Sequence, residues 1–220
     1  MKMDIPVHIG FSILQLAKLR MLEFYYDFMD RYFDRKDFQY VAMDTDSAYM
    51  ALSAPMDNIV RKEIADIYYK EYGKWFPRMY CDRHADDFQL CKSVPTKLWE
   101  LQNCCKEVYQ YDIRTPGLFK VEFSGHGIVA LNSKTYFCWN DETHSTKHSS
   151  KGLSKTTNSF TKDTFLKVLH SRSPKEGVNK GFVKKDNRVF SYTQLRTGLT
   201  YFYSKRRVCN DGVSTEYILA

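Results

Sequence analysis

The sequence predicts an α+β fold, an antiparallel sheet with packed helices, on three observations. Apolar residues recur at helical spacing near the start of the chain. Short segments alternate apolar and polar residues at the two-residue period of strands. Polar turns between those segments read as hairpins and a small meander.

In chain order, residues 7–33 predict a long amphipathic helix. Ile9, Ile13, Leu16, Ala17, Met21, Phe24 and Phe28 recur at three- and four-residue steps, with Lys18, Arg20, Glu23, Asp27 and Asp30 largely between them. Asp34-Arg35-Lys36-Asp37 is a polar turn. A hairpin follows: a strand over 38–43, a turn at 44–47 and a strand over 47–52, with Tyr40, Val41 and Tyr49 as good strand formers. Pro55-Met56-Asp57-Asn58 ends it, and Ile59, Ile64, Ile67 and Tyr68 give helical periodicity over 58–73. Residues 74–97 show no clear period. After Thr115-Pro116-Gly117, residues 118–123 alternate like a strand. Gly125-His126-Gly127 is a turn, and residues 128–131 and 134–139 continue as strands. Residues 141–161, rich in Ser, Thr, Lys and His, read as a crossing loop with little core. Residues 162–170 read as a short helix. Phe182-Val183 and Val189-Phe190 flank a charged turn with Asn187, which predicts another hairpin, and Asn210-Asp211-Gly212 marks a late turn. No internal repeat or long low-complexity linker separates independent domains.

The bulk properties bound the function. A chain of 220 residues is one large domain or two small ones, and 43% hydrophobic residues suffice for a core. No run approaches the roughly 18 apolar residues of a membrane span. Met1 to Pro6 carries no signal-peptide pattern. The six cysteines include no Cys-x-x-Cys pair, and adjacent Cys104 and Cys105 suit a disulfide framework poorly, so a reduced, intracellular setting is expected. A zinc site from Cys81, His84 and Cys91 competes with ordinary half-buried thiols, and the thiol reading is preferred. Charge is uneven. Residues 147–220 hold 15 Lys/Arg against 5 Asp/Glu, a net of +10, whereas residues 1–146 hold 18 against 21, a net of −3. The basic end is what a surface meeting a polyanion requires, although a merely soluble Lys-rich segment would look the same.

The most informative motif is Asp44-Thr45-Asp46-Ser47, two carboxylates at the tip of an apolar hairpin. Hard carboxylate oxygens suit Mg²⁺ beside a phosphate chain. An EF-hand loop beginning at Asp44 would need Gly and Glu where Tyr49 and Pro55 stand. A phosphatase of the Asp-x-Asp-x-Thr type would need Thr or Val at Ala48. A glycosyltransferase Asp-x-Asp survives, as does a simple Asp/Ser turn. Palm-type polymerases use such carboxylates to hold two Mg²⁺ ions.

Three ordered blocks give the chain a resemblance to the C-terminal part of a family B DNA polymerase. The branch is the protein-primed one of viruses, linear plasmids and Polinton/Maverick-type mobile elements. Asp44-Thr45-Asp46-Ser47 resembles the Tyr-x-Asp-Thr-Asp-Ser palm motif. Ser133-Lys134-Thr135-Tyr136 resembles the Lys-x-Tyr motif near the palm–thumb junction. Lys151-Gly152-Leu153 and Phe160 to Phe165 resemble the segment leading into the thumb. The helix around Leu16 to Met21 sits where the family has one before the palm hairpin, and Tyr201 to Val208 also looks like the mobile-element branch.

The resemblance implies a partial palm over residues 1–140 and a basic, thumb-like region over 141–220. It implies Asp46 as the principal catalytic metal ligand and Asp44 as a supporting one, with Mg²⁺ as cofactor. The implied partners are a DNA template-primer, deoxynucleoside triphosphates and a terminal protein primer, with no membrane. Lys134 and Tyr136 would steady the primer-template, the Lys on phosphate or groove edge and the Tyr through its flat face and hydroxyl. Lys147, Lys151 and Lys155, with the backbone amides freed by Gly152, would follow the phosphates. Lys184, Lys185, Arg188, Lys205, Arg206 and Arg207 would extend that track, without a base-reading pattern. The sequence departs from the family where Ala42 replaces the motif Tyr. The second palm carboxylate motif, the nucleotide-binding Lys-x-x-x-Asn-Ser-x-Tyr-Gly helix and the exonuclease motifs are absent. The expectation is therefore a polymerase fragment, or a catalytically inactive remnant that binds duplex DNA.

Overall fold

Helix α1 (Val7–Glu23) runs unbroken into a π-helical turn (Phe24–Met29) and a last α-turn (Asp30–Tyr32). The computed structural model describes residues 6–84, 102–132, 134–200, 206–210 and 215–217. It is a mixed α+β fold whose chain divides at Glu122/Phe123 into two units, each with its own core. This division puts the 128–139 strands in the second unit, whereas the sequence reading groups them with residues 1–140. Among the described residues no helix is long and apolar enough to cross a membrane.

The core of the first unit is aromatic. Phe24, Phe28, Tyr32 and Phe33 of the first helix and its end pack with Phe38, Tyr68, Trp75 and Phe76. The wider π-turn lets Phe28 and Met29, adjacent in sequence, both bury. The Phe24 and Phe28 rings stack at 5.1 Å, and Phe28 meets Phe33 and Phe76 edge-on. Arg20 closes one flank: its guanidinium lies 4.2 Å over Trp75 and donates to the carbonyls of Gly117 and Lys74. The first half of α1 departs from expectation. Ile9, Ile13 and Leu16 are exposed, as are Phe11 and Leu14, so burial begins only at Met21.

Strands β1 (Phe38–Asp44) and β2 (Ser47–Leu52) form the expected hairpin, laid on this core through Phe38, Tyr40 and Met50. The predicted helix over 58–73 is broken. Helix α2 (Met56–Ile59) stops where Val60 becomes extended and bridges Phe33, and helix α3 (Ala65–Glu71) starts afresh after a 3₁₀ turn. A tertiary pairing overrides the local period here. Helix α4 (Asn103–Asp112), which the sequence reading does not predict, packs nearby through Cys105 and Asp112. The alternating residues 118–123 form no strand, and among the described residues no strand pairs with them.

The second unit is built on a three-stranded antiparallel meander, β3 (Gly127–Asn132), β4 (Thr135–Trp139) and β5 (Thr146–Ser149), with β4 central. Helix α5 (Lys162–Ser171) covers one face, its start fixed by a Thr161/Thr164 capping box. The core joins Val129, Leu131 and Phe137 to Phe165 and Val168. Residues 141–161 are more than a coreless loop: they supply β5, and Leu153 and Phe160 are buried. Strands β6 (Lys175–Lys185) and β7 (Arg188–Leu199) make a long hairpin turning at Asp186 and Asn187, both with positive φ, as a two-residue primed turn requires. Only its base is buried; Phe182, Val189 and Leu195 are exposed. Short strands β8 (Arg206–Val208) and β9 (Thr215–Tyr217) pair antiparallel; most of the late turn expected at Asn210-Asp211-Gly212 lies outside the described residues.

Candidate functional site

Asp44 and Ser47 are cross-strand partners that close the β1–β2 hairpin, with Thr45 and Asp46 as its two-residue tip. Thr45 takes positive φ (50°), a conformation a β-branched residue adopts only where the turn imposes it. The tip is cinched locally. The Asp46 N–H donates to the Asp44 carbonyl at 2.6 Å, and the Ser47 hydroxyl donates to the same oxygen at 3.1 Å. The Thr45 hydroxyl donates to the Asp44 carboxylate at 3.2 Å. Asp44 is half-buried and Asp46 exposed.

A β-bulge interrupts β1 just before the turn. The register shifts between Tyr40 and Ala42, leaving Val41 without a partner. Before the bulge, Tyr40 and Met50 face the aromatic core. Beyond it Ala42 pairs with Tyr49, Met43 with Ala48 and Asp44 with Ser47; Met43 is exposed, whereas Ala42 and Asp44 are half-buried.

Two carboxylates on a rigid turn offer hard oxygens of the type Mg²⁺ takes. A two-ion centre needs a further carboxylate to bridge the ions, and among the described residues no third acidic, His or Cys ligand groups with Asp44 and Asp46. The donor chemistry fits the ion and the donor count does not.

The predicted nucleic-acid contacts lie in the second unit. Ser133 falls outside the described residues, as do Tyr201 to Lys205. Lys134 sits in the β3–β4 turn at positive φ (64°). Register places Tyr136 opposite Ala130 and Ser149, and Cys138 opposite Lys147. Partners share a face, so Tyr136, Cys138 and Lys147 lie on the side opposite Phe137 and the α5 core. Tyr136 is half-buried and lies outside the α5 core cluster. Burial pushes the Cys138 thiol up to about 11, against the pull of the Lys147 charge. Lys151, Gly152 and Lys155 follow β5 in an exposed loop. Gly152 has positive φ (76°), and an added Cβ would meet the Arg196 guanidinium at 3.1 Å, so the glycine admits that cation to the loop backbone. Arg206 lies on β8.

This loop is docked by Asn158, whose side-chain amide behaves as a strand residue. It donates to the Val178 carbonyl at 2.8 Å and accepts from the Val178 N–H at 2.8 Å. Leu153 anchors the other side, and the approach is so close that a Cβ on Gly198 would sit 2.3 Å from it. Lys151 and Lys155 are thus held on either side of a buried leucine.

The Cys81/His84 pair also differs from expectation. It is joined by Cys104 and Cys105 at the start of α4, and Cys91 lies outside the described residues. Burial pushes the Cys81 thiol up. Hydrogen bonding to His84, to the Arg83 backbone and to the two neighbouring sulfurs outweighs it and brings the pKa down to about 6.

Comparison with protein-family models, with curated proteins and with solved structures returned no match for this chain.

Proposed function

We propose that this chain is the palm–thumb part of a protein-primed family B DNA polymerase, acting on a DNA template-primer with deoxynucleoside triphosphates and Mg²⁺. The observation that carries this reading is the β1–β2 hairpin. It presents Asp44, half-buried, at the end of β1 and Asp46, exposed, in its two-residue tip. The common face of Tyr136 and Lys147 supports it, as does the net charge of +10 over residues 147–220. The exposed apolar half of α1 is the surface expected of a helix that packs on further polymerase segments.

In this reading Asp46 and Asp44 contribute carboxylate oxygens to the nucleotidyl-transfer centre. Lys134, Tyr136, Lys147, Lys151 and Lys155, with the Gly152 backbone and Arg206, track the duplex. When bound, the metal supplies charge neutralisation of the triphosphate and activation of the primer hydroxyl. In this reading the isolated chain is catalytically incomplete, since among the described residues no third carboxylate groups with Asp44 and Asp46. A second reading, duplex-DNA binding without catalysis, is favoured by that same count.

Primer extension with Mg²⁺ and Mn²⁺ tests the first reading. The chain alone is expected to give none; extension abolished by Asp46→Asn would overturn its incompleteness. The coding DNA upstream of Met1 tests the family itself. An open frame with the second carboxylate motif and the nucleotide-binding helix is expected, and an unrelated domain there would sink the assignment. Duplex binding measured by anisotropy is expected to fall steeply with salt and to show little sequence preference. Absence of binding at low salt would remove both readings.

A further inference from the structure

We infer that Cys81, His84, Cys104 and Cys105 form a structural zinc site. The four donor atoms lie within 4.8 Å of one another. His84 Nδ1 is 3.2 Å from Cys81 Sγ, 3.4 Å from Cys105 Sγ and 3.7 Å from Cys104 Sγ, and the Cys81 and Cys105 sulfurs are 3.9 Å apart. A tetrahedral Zn²⁺ with its usual Zn–S and Zn–N bonds sets its ligands ~3.6 Å (S to N) and ~3.8 Å (S to S) apart. The three His84–sulfur distances and the Cys81–Cys105 distance lie within about 0.4 Å of those values. Spacing this tight encloses one ion; the ligands of an iron–sulfur cluster attach to different irons and stand further apart.

Donor type agrees with donor spacing. Three thiolates and one imidazole are the soft and borderline set that zinc takes, and four protein ligands leave no open position for chemistry. Local structure supplies what such ligands need. Cys81 and His84 are brought together by a single 3₁₀ turn, Asp82–His84, closed by the His84 N–H to the Cys81 carbonyl at 2.9 Å. Cys104 and Cys105 sit together in the first turn of α4. The Cys81 N–H donates to Cys105 Sγ at 3.4 Å, an outer hydrogen bond of the kind that orients metal ligands.

The site joins two segments far apart in sequence: the turn that follows Trp75 and Phe76, and the start of α4. Its effect is a staple at the margin of the aromatic core. The inference is independent of the polymerase reading and stands whether or not the chain binds DNA.

The test is metal content of the full chain, purified without chelator under reducing conditions. One zinc per chain is expected. Replacement by Co²⁺ is expected to give the intense visible bands and thiolate charge-transfer absorption of a tetrahedral thiolate-rich site. His84→Cys is expected to keep the metal while shifting that spectrum, and Cys105→Ser to weaken retention at least about tenfold. Cys138→Ser, a change in the second unit and outside the four ligands, is expected to leave content unchanged. A wild-type chain without metal whose four side chains are freely modified, or one with a Cys81–Cys105 disulfide, would overturn the assignment. So would zinc content equal in wild type and in the Cys104→Ser/Cys105→Ser double variant.

Discussion

The buried carboxylate of Asp112 is held twice by Arg78, by its backbone N–H at 3.1 Å and by its guanidinium Nε at 3.0 Å. Asp112 ends α4 and Arg78 precedes the Cys81 turn, so this clamp and the cysteine cluster grip opposite ends of one helix. Arg78→Ala leaves Asp112 buried without its guanidinium partner. Removing one member of a buried pair costs several kcal/mol; because Arg78 is partly exposed, we expect about 2 kcal/mol. Urea unfolding measures it. An unchanged midpoint would mean that α4 is not held there.

Gly198 and Leu153 are packed to contact. We expect Gly198→Ala to cost roughly 1–3 kcal/mol, as overpacking does. Leu153→Ala also destabilises by opening a cavity, but the double variant should lose less than the two singles combined. Additive losses would show that the clash is not what fixes the loop.

Lys147, Lys151 and Lys155 are expected to act as phosphate contacts. Each change to Ala should lower the slope of log K against log salt by about 1 and weaken all duplex sequences alike. A change in sequence preference with an unchanged slope would instead indicate base contact.

His148 stacks on Phe137 at 5.8 Å on the core face of β5. Burial, and secondarily the charge of Lys155, hold its pKa below the usual histidine value. The folded unit therefore binds fewer protons than the unfolded chain in that interval. The resulting stability is fully present above about pH 6.5 and is lost as pH falls toward the folded pKa. Thermal unfolding at pH 8 and pH 6 should show this fall, and His148→Phe should flatten it. An equal fall in the variant would assign the effect to other groups.

Phe11, Leu14 and Leu16 of α1 are mostly exposed among the described residues, with Leu16 64% exposed. Phe11→Lys and Leu14→Glu should leave the melting temperature within about 1 °C, since surface changes fall within ±0.5 kcal/mol. They should also reduce self-association of the chain in sedimentation. A lowered melting temperature would mean that the helix face is covered.

Several elements were legible because their signals are local. The β1–β2 and β6–β7 hairpins were marked by strand formers around Asp, Ser and Asn turn residues, and α5 by its short apolar period after Thr161. Helix α4 was missed because its residues, Asn103 to Asp112, carry a weak apolar stripe and two adjacent cysteines that suggested no element. Residues 118–123 failed in the opposite sense: their alternation is that of a strand, but a strand exists only where another edge accepts its hydrogen bonds.

By itself, the sequence determined the position of Asp44 and Asp46 in a turn, the two-residue periods around them and the basic character of the last third. These follow from backbone preference and composition, which act within a few residues. Only the tertiary structure decided that Val41 bulges out of the β1–β2 register, and that Tyr136 and Lys147 share a face. It likewise decided that His84 finds Cys104 and Cys105 rather than a neighbour in sequence. Each of these depends on strand register or on contacts across some twenty residues or more, and short-range spacing carries no record of either.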